Sequence, residues 1–169
     1  MRFLIIFIIF VYNSFAIAEP NIKNLFLNKE LKKYDGLTFL DGQNKKLNLI
    51  DYEGNLILLN FWATWCAPCK EEMPSLDLLQ THEELDNLMI FPINVGQENF
   101  QKSSKFFQDL KIKNLEIYFD SSITLAKKFR LRGIPTSILI NKDGLEFARI
   151  IGSTDFEDEK FIKWLSNYN

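Results

Sequence analysis

Metal-binding side chains are scarce in this chain. Its 169 residues include two cysteines, Cys66 and Cys69, and a single histidine, His82. Zinc takes four ligands, and His82 lies well beyond the usual spacing from the pair, so a zinc site would need two chains to share the metal. No metal is expected. An excess of charge of one sign is also missing. Lys and Arg number 20 against 22 Asp and Glu, a formal net charge of -2. That balance supplies no basic field for nucleic acid and no polybasic membrane patch. Repeats and low-complexity tracts are absent. What the chain does have is apolar content, 47% hydrophobic with 16 Phe, enough to exclude wholesale disorder and to build one ordinary core. A monomer is expected, with partner choice decided locally.

The longest apolar stretch is at the N-terminus. Met1-Arg2 gives a short positive start, and Phe3 to Tyr12 is apolar. Asn13-Ser14-Phe15 then leads to the small-x-small site Ala16-Ile17-Ala18 before Glu19-Pro20. A spanning helix wants about 20 apolar residues, and Asn13 and Ser14 interrupt this one. Residues 1–18 therefore read as a secretory signal cleaved after Ala18, with an uncleaved N-terminal anchor as the alternative. Both place the rest in the periplasm or at the outer face of the inner membrane. No cysteine stands at the cleavage site to take a lipid.

Residues 19–36 read as an N-terminal extension with weak helical character, and 37–169 as the domain. Leu37–Leu40 and Lys46–Leu49 flank the turn signal Asp41-Gly42-Gln43 and predict an N-terminal β-hairpin. Leu56 to Trp62 is an apolar run interrupted only by Asn60, as in a strand buried on both faces. A helix is predicted from Cys66 to Gln80, kinked at Pro74. Leu88–Val95 then reads as a strand, Phe100–Leu110 as a helix, Leu115–Phe119 as a strand, and the stretch after Asp120-Ser121 as a helix to Phe129. Thr136–Ile140 and Glu146–Ile151 are strands joined by Asn141-Lys142-Asp143-Gly144, and Asp155–Tyr168 is an amphipathic helix. The order predicts an α/β fold, a mixed central sheet with helices on both faces.

The cysteines carry the chemistry. A bridge across two residues constrains the unfolded chain very little, which makes it a poor staple and a plausible reactive pair. Cys66 falls where a buried strand gives way to a helix, and free N–H groups at a helix N-terminus favour a thiolate, the nucleophilic form. Cys69 lies one turn on, with Pro68 tolerated in the first turn. Glu72, three residues further along the same face, is a candidate proton acceptor for Cys69. Its other reading is a solvated helix glutamate like Glu71. Pro135, in Gly133-Ile134-Pro135-Thr136, stands at the start of a strand where a cis bond can be locked in. That would expose the Ile134 backbone to an extended partner segment; a loop proline that merely ends a helix is the alternative.

Together these motifs decide. The run from Leu59 to Leu76, centred on Trp65-Cys66-Ala67-Pro68-Cys69-Lys70, with Gly133-Ile134-Pro135-Thr136 downstream, resembles the TlpA/ResA-like branch of the thioredoxin superfamily. The resemblance covers about residues 37–166. It implies a thioredoxin fold, a central strand–helix insertion between Gln97 and Phe129, and a cis bond before Pro135. It makes Cys66 the nucleophile and Cys69 the resolving cysteine of a redox-active disulfide, with no other cofactor. Thioredoxins carry a buried Asp six residues before the first cysteine. Here that position is Asn60, which cannot act as a base, so the resemblance shifts the role to Glu72. Trp65, Ala67, Pro68, Ile134, Pro135 and Thr136 are the implied substrate-binding residues, and Trp62 is expected to pack in the core. The implied partners are client proteins with disulfides or paired thiols and a membrane electron donor. The competing functions are an oxidase of folding proteins, a thiol-based copper or client-binding module, and a peroxidase, whose Thr-x-x-Cys context is not evident.

Overall fold

A computed structural model describes Ile22 and residues 24–169; the expected signal segment 1–18 lies outside the described residues. Eight strands form one mixed sheet in the order β1-β8-β7-β4-β5-β6-β2-β3. They are β1 (Leu25–Lys32), β2 (Thr38–Leu40), β3 (Lys46–Asn48), β4 (Leu56–Trp62), β5 (Leu88–Asn94), β6 (Tyr118–Phe119), β7 (Thr136–Ile140) and β8 (Glu146–Ile151). Four helices accompany them: α1 (Ala67–Leu79), α2 (Phe100–Asp109), α3 (Thr124–Lys128) and α4 (Glu159–Leu165).

The apolar run Leu56–Trp62 becomes the central strand, and every one of its residues is buried. β4 pairs parallel with β5 and antiparallel with β7, and β7 pairs antiparallel with β8. The two faces of β4 feed separate cores. Leu56, Leu58 and Trp62 pack with α1 and α4, whereas Ile57, Leu59 and Phe61 pack with Phe91, Leu125 and Phe129. The side-chain alternation of a strand makes this two-sided burial follow directly from an apolar run broken only at Asn60. Trp62 is wholly buried and stacks on Phe106, ring centroids 4.9 Å apart, as the packing expectation requires. The predicted β2–β3 hairpin forms at one edge, joined through Leu40 to β6.

Three expectations are corrected. Residues 25–32 were expected to be weakly helical and form strand β1, antiparallel to β8. The predicted strand 115–119 shrinks to Tyr118–Phe119, because the Asp77 carboxylate on α1 takes the backbone N–H groups of Lys113, Asn114 and Leu115. That stretch is tied to a helix and has no ladder to join. The last helix starts at Glu159, not Asp155: Asp158 caps it through Lys160 N and Phe161 N, while Phe156 N is held by Ser75 Oγ. Helix α1, by contrast, continues through Pro74, which lies on its exposed side.

Candidate active site

Cys66 is the N-cap of helix α1, reached from the end of β4 through the short loop 63–65. Its backbone is extended (φ -84°, ψ 103°), and its Sγ accepts from Cys69 N at 3.3 Å. Cys66 and Cys69 form a disulfide. The two sulfurs differ in access: Cys66 is 5% exposed and Cys69 0%. Around them Trp65 is 67% exposed, and Ala67, Pro68 and Lys70 also face solvent. The helix N-terminus thus presents one edge of the disulfide within an open apolar rim.

Glu72 is buried, 2% exposed, so the reading of a solvated helix glutamate is overturned. Asn60 on β4 donates Nδ2 to Glu72 Oε1 at 2.8 Å, and Thr154 N donates to Oε2 at 3.2 Å. Asn60 also bonds Ser137 Oγ on β7 at 3.0 Å, linking the sheet to the carboxylate. Burial pushes the Glu72 carboxyl up to about 7 against the opposing pull of the Asn60 and Thr154 hydrogen bonds. A buried acid poised near neutrality, one helical turn beyond the buried cysteine, can take or give a proton where water does not reach.

The Ile134–Pro135 peptide bond is cis. Pro135 and Thr136 are buried and Ile134 is half-buried, contacting both cores. Thr136 Oγ1 donates to Gly133 O at 2.8 Å and closes the loop. Thr136 opens β7 opposite Phe61, near the end of β4, so the cis-proline loop lies beside the strand that leads into Cys66. The structure therefore brings Trp65 through Glu72 and Ile134 through Thr136 to the same end of the sheet.

One residue of this region gave no signal in the sequence. Glu98, whose side chain is 4% exposed, accepts from Thr64 N at 2.8 Å and pairs with Thr64 Oγ1, Lys102 Nζ and, at 2.9 Å, Asn94 Nδ2. Burial works against its charge, but the hydrogen bonds from Asn94, Lys102 and Thr64 outweigh it and hold the carboxyl down to about 2. The loop that carries the cysteines is thereby pinned to the loop after β5. Gly96 allows the approach: a Cβ there would fall 2.8 Å from Ala63 Cβ and 2.9 Å from Glu98 Oε2.

A disulfide spanning two residues at the N-terminus of the helix after a central strand, beside a cis-proline loop, defines a thioredoxin-fold dithiol–disulfide protein. Residues 26–145 match the AhpC/TSA family model. The thiol-disulfide oxidoreductase ResA of Bacillus thuringiensis subsp. konkukian is 30% identical over 134 residues, 78% of this chain and 76% of that protein. ResA of Bacillus anthracis is 28% identical over 167 residues, 96% of this chain and 95% of that one. Among solved structures, StoA from Bacillus subtilis superposes with a TM-score of 0.62 at 27% identity, covering 86% of this chain and 99% of StoA. The chain belongs to the AhpC/TSA family and, within it, to the thiol–disulfide oxidoreductases of the ResA type.

Proposed function

We propose that the chain works outside the cytoplasm, in the periplasm or at the outer face of the inner membrane, and reduces disulfides in client proteins. One observation carries the mechanism: Cys69 is sealed from solvent with a buried carboxylate one turn beyond it, while Cys66 lies at the edge of an exposed rim. In the reduced protein the Cys66 thiolate attacks a client disulfide. One client sulfur leaves as a thiolate and takes a proton from water, and the other stays bonded to Cys66. Cys69 then passes its proton to Glu72, and its thiolate attacks Cys66 Sγ. The mixed disulfide breaks, the second client sulfur departs as a thiolate and takes a proton from water, and two electrons have moved from the protein to the client. The Cys66–Cys69 disulfide that remains is re-reduced by a membrane electron donor.

An extended client segment lies along Ile134, Pro135 and Thr136 as an added strand, with Trp65, Ala67 and Pro68 as the rim against which it packs. The likeness of the cysteine motif to the ResA type supports clients of two kinds: haem-attachment cysteines of apocytochrome c, or copper-site cysteines of an oxidase and its chaperone. The N-terminal residues 1–18 serve as the export signal or as an anchor.

Cys66→Ala is expected to abolish reduction of insulin disulfides. Cys69→Ala, which leaves the attacking thiol but removes the resolving one, is expected to accumulate covalent client adducts visible on non-reducing gels. Equal loss of activity with no trapped adduct in either variant would overturn the division of roles.

A further inference from the structure

Although the chain as a whole carries a formal charge of -2, one cavity of about 570 Å³ is lined by six cations and no Asp or Glu. The cations are Lys32, Lys33, Lys128, Arg130, Arg132 and Arg149. They come from three separate places: the end of β1, the segment that leaves α3 towards the cis-proline loop, and β8. All three arginines of the described residues are among them.

Arg149 alone has a carboxylate partner. Its guanidinium grips Glu146, at 2.6 Å from Nη2 and 2.8 Å from Nε, and Glu146 is further saturated by Tyr34 OH and Asn28 Nδ2. Lys128 Nζ reaches only the carbonyls of Asp35 and Gly36, and Lys32 Nζ only Asn28 Oδ1. Lys33, Arg130 and Arg132 have no ion pair among the described residues. Five cations therefore converge on one concavity without a counter-charge, an arrangement that repels itself unless an anion enters. Arg130 is held there at a backbone cost. It occupies the left-handed position after α3 (φ 52°) that glycine favours.

The floor is apolar: Phe129, Leu131 and Ile151 line it with the Tyr34 ring. Thr136 lies in the same wall, one residue beyond the cis-proline. We infer that this cavity docks an acidic segment of the protein whose disulfide is exchanged at Cys66–Cys69, an extended peptide carrying carboxylates between apolar side chains. This rests on the redox reading above and adds the chemistry of the partner to it. Arginine forks suit carboxylates, the apolar floor takes the intervening side chains, and continuity with Thr136 puts the cavity on the path of a strand laid along the cis-proline loop. A flat headgroup surface does not enter a concavity of this size, so a peptide is favoured over a membrane.

The test uses two synthetic peptides with one internal cystine, identical except that four Glu in the first are Gln in the second. The protein beginning at Glu19 is assayed with dithiothreitol as the electron source. Reduction of the Glu peptide is expected to exceed that of the Gln peptide by about tenfold in kcat/KM at low salt. The preference is expected to vanish as ionic strength rises from about 0.01 to about 1 M. Arg130→Gln with Arg132→Gln is expected to make the two peptides equivalent, whereas Lys142→Gln with Lys160→Gln, the same charge loss elsewhere, keeps the preference. Equal rates in the unsubstituted protein, or a preference that survives loss of both arginines, overturns the inference while leaving the redox reading intact. Failure to reduce either peptide overturns the redox reading. Calorimetric titration with a cysteine-free Glu peptide then decides the cavity by itself, and absence of arginine-dependent heat overturns the docking. Vesicles of phosphatidylcholine and phosphatidylglycerol are the remaining arm: arginine-dependent cosedimentation without peptide preference assigns the cavity to lipid and overturns the inference.

Discussion

At the scale of single residues, Glu72 is where burial and chemistry meet. Its carboxyl is raised to about 7 in the folded protein, burial outweighing the Asn60 and Thr154 hydrogen bonds. The native state therefore binds more protons than the unfolded chain between the ordinary carboxylate range and about 7. The stability tied to that proton is fully present below the window and is lost as pH rises through about 7, a change on the order of 3 kcal/mol. Glu72→Gln cannot show this slope. In the oxidised protein the stability difference between variant and parent is expected to move in favour of Gln from about pH 5 to about pH 8, measured by urea unfolding at each pH. The variant should also turn over slowly and lose any rise of rate near neutrality. Parallel stability curves would remove Glu72 ionisation from the account. The pairing with Asn60 explains why a glutamate fits here: the amide neutralises nothing, yet it fixes the carboxylate by a hydrogen bond from the central strand.

At the scale of elements, the end of α3 exchanges stability for side-chain placement. Leu131 N bonds Ala126 O at 2.9 Å and Arg130 N bonds Lys127 O at 3.0 Å, a Schellman termination with Arg130 in the glycine position. Arg130→Gly is expected to raise stability by about 0.5–1 kcal/mol, read as a shift in urea midpoint, while weakening the preference for the acidic peptide. An unchanged or lower midpoint would mean that the arginine side chain contributes more to the fold than its backbone costs. Elements like β4 and the β7–β8 hairpin were readable in the sequence because their signals are local: an apolar run, or Asn-Lys-Asp-Gly between two apolar strands. The cysteine and cis-proline motifs were readable for the same reason. Strand β1 was not, since Leu25–Lys32 sits at a sheet edge with five of its eight residues exposed and its partner lies more than a hundred residues away. Glu98 was silent because its role depends on Thr64, 34 positions earlier. The burial of Glu72 depends likewise on Thr154, 82 positions later. Neighbouring residues cannot encode what only tertiary contact supplies.

At the scale of the whole molecule, the extension is part of the sheet. Ile22, Leu25 and Leu27 pack against the larger core, and β1 covers the edge that β8 would otherwise leave open. A chain beginning at Glu19 is expected to keep full stability. One beginning at Tyr34 is expected to lose about 2–4 kcal/mol, from three half-buried aliphatic side chains and one strand pairing, with the urea midpoint as the measure. Equal midpoints would show β1 to be dispensable.

That pairing also sets an order of events for a chain made and moved from its N-terminus. The first strand binds the last: Leu25 stands opposite Ile150, and Phe26 opposite Arg149. Until residue 150 is free, β1 has no partner and the sheet keeps an open edge. A polypeptide still threading through a translocation pore, or still on the ribosome, cannot close its own fold. Closure of that edge therefore waits until the chain through residue 150 has emerged, and the first strand made is among the last to be placed.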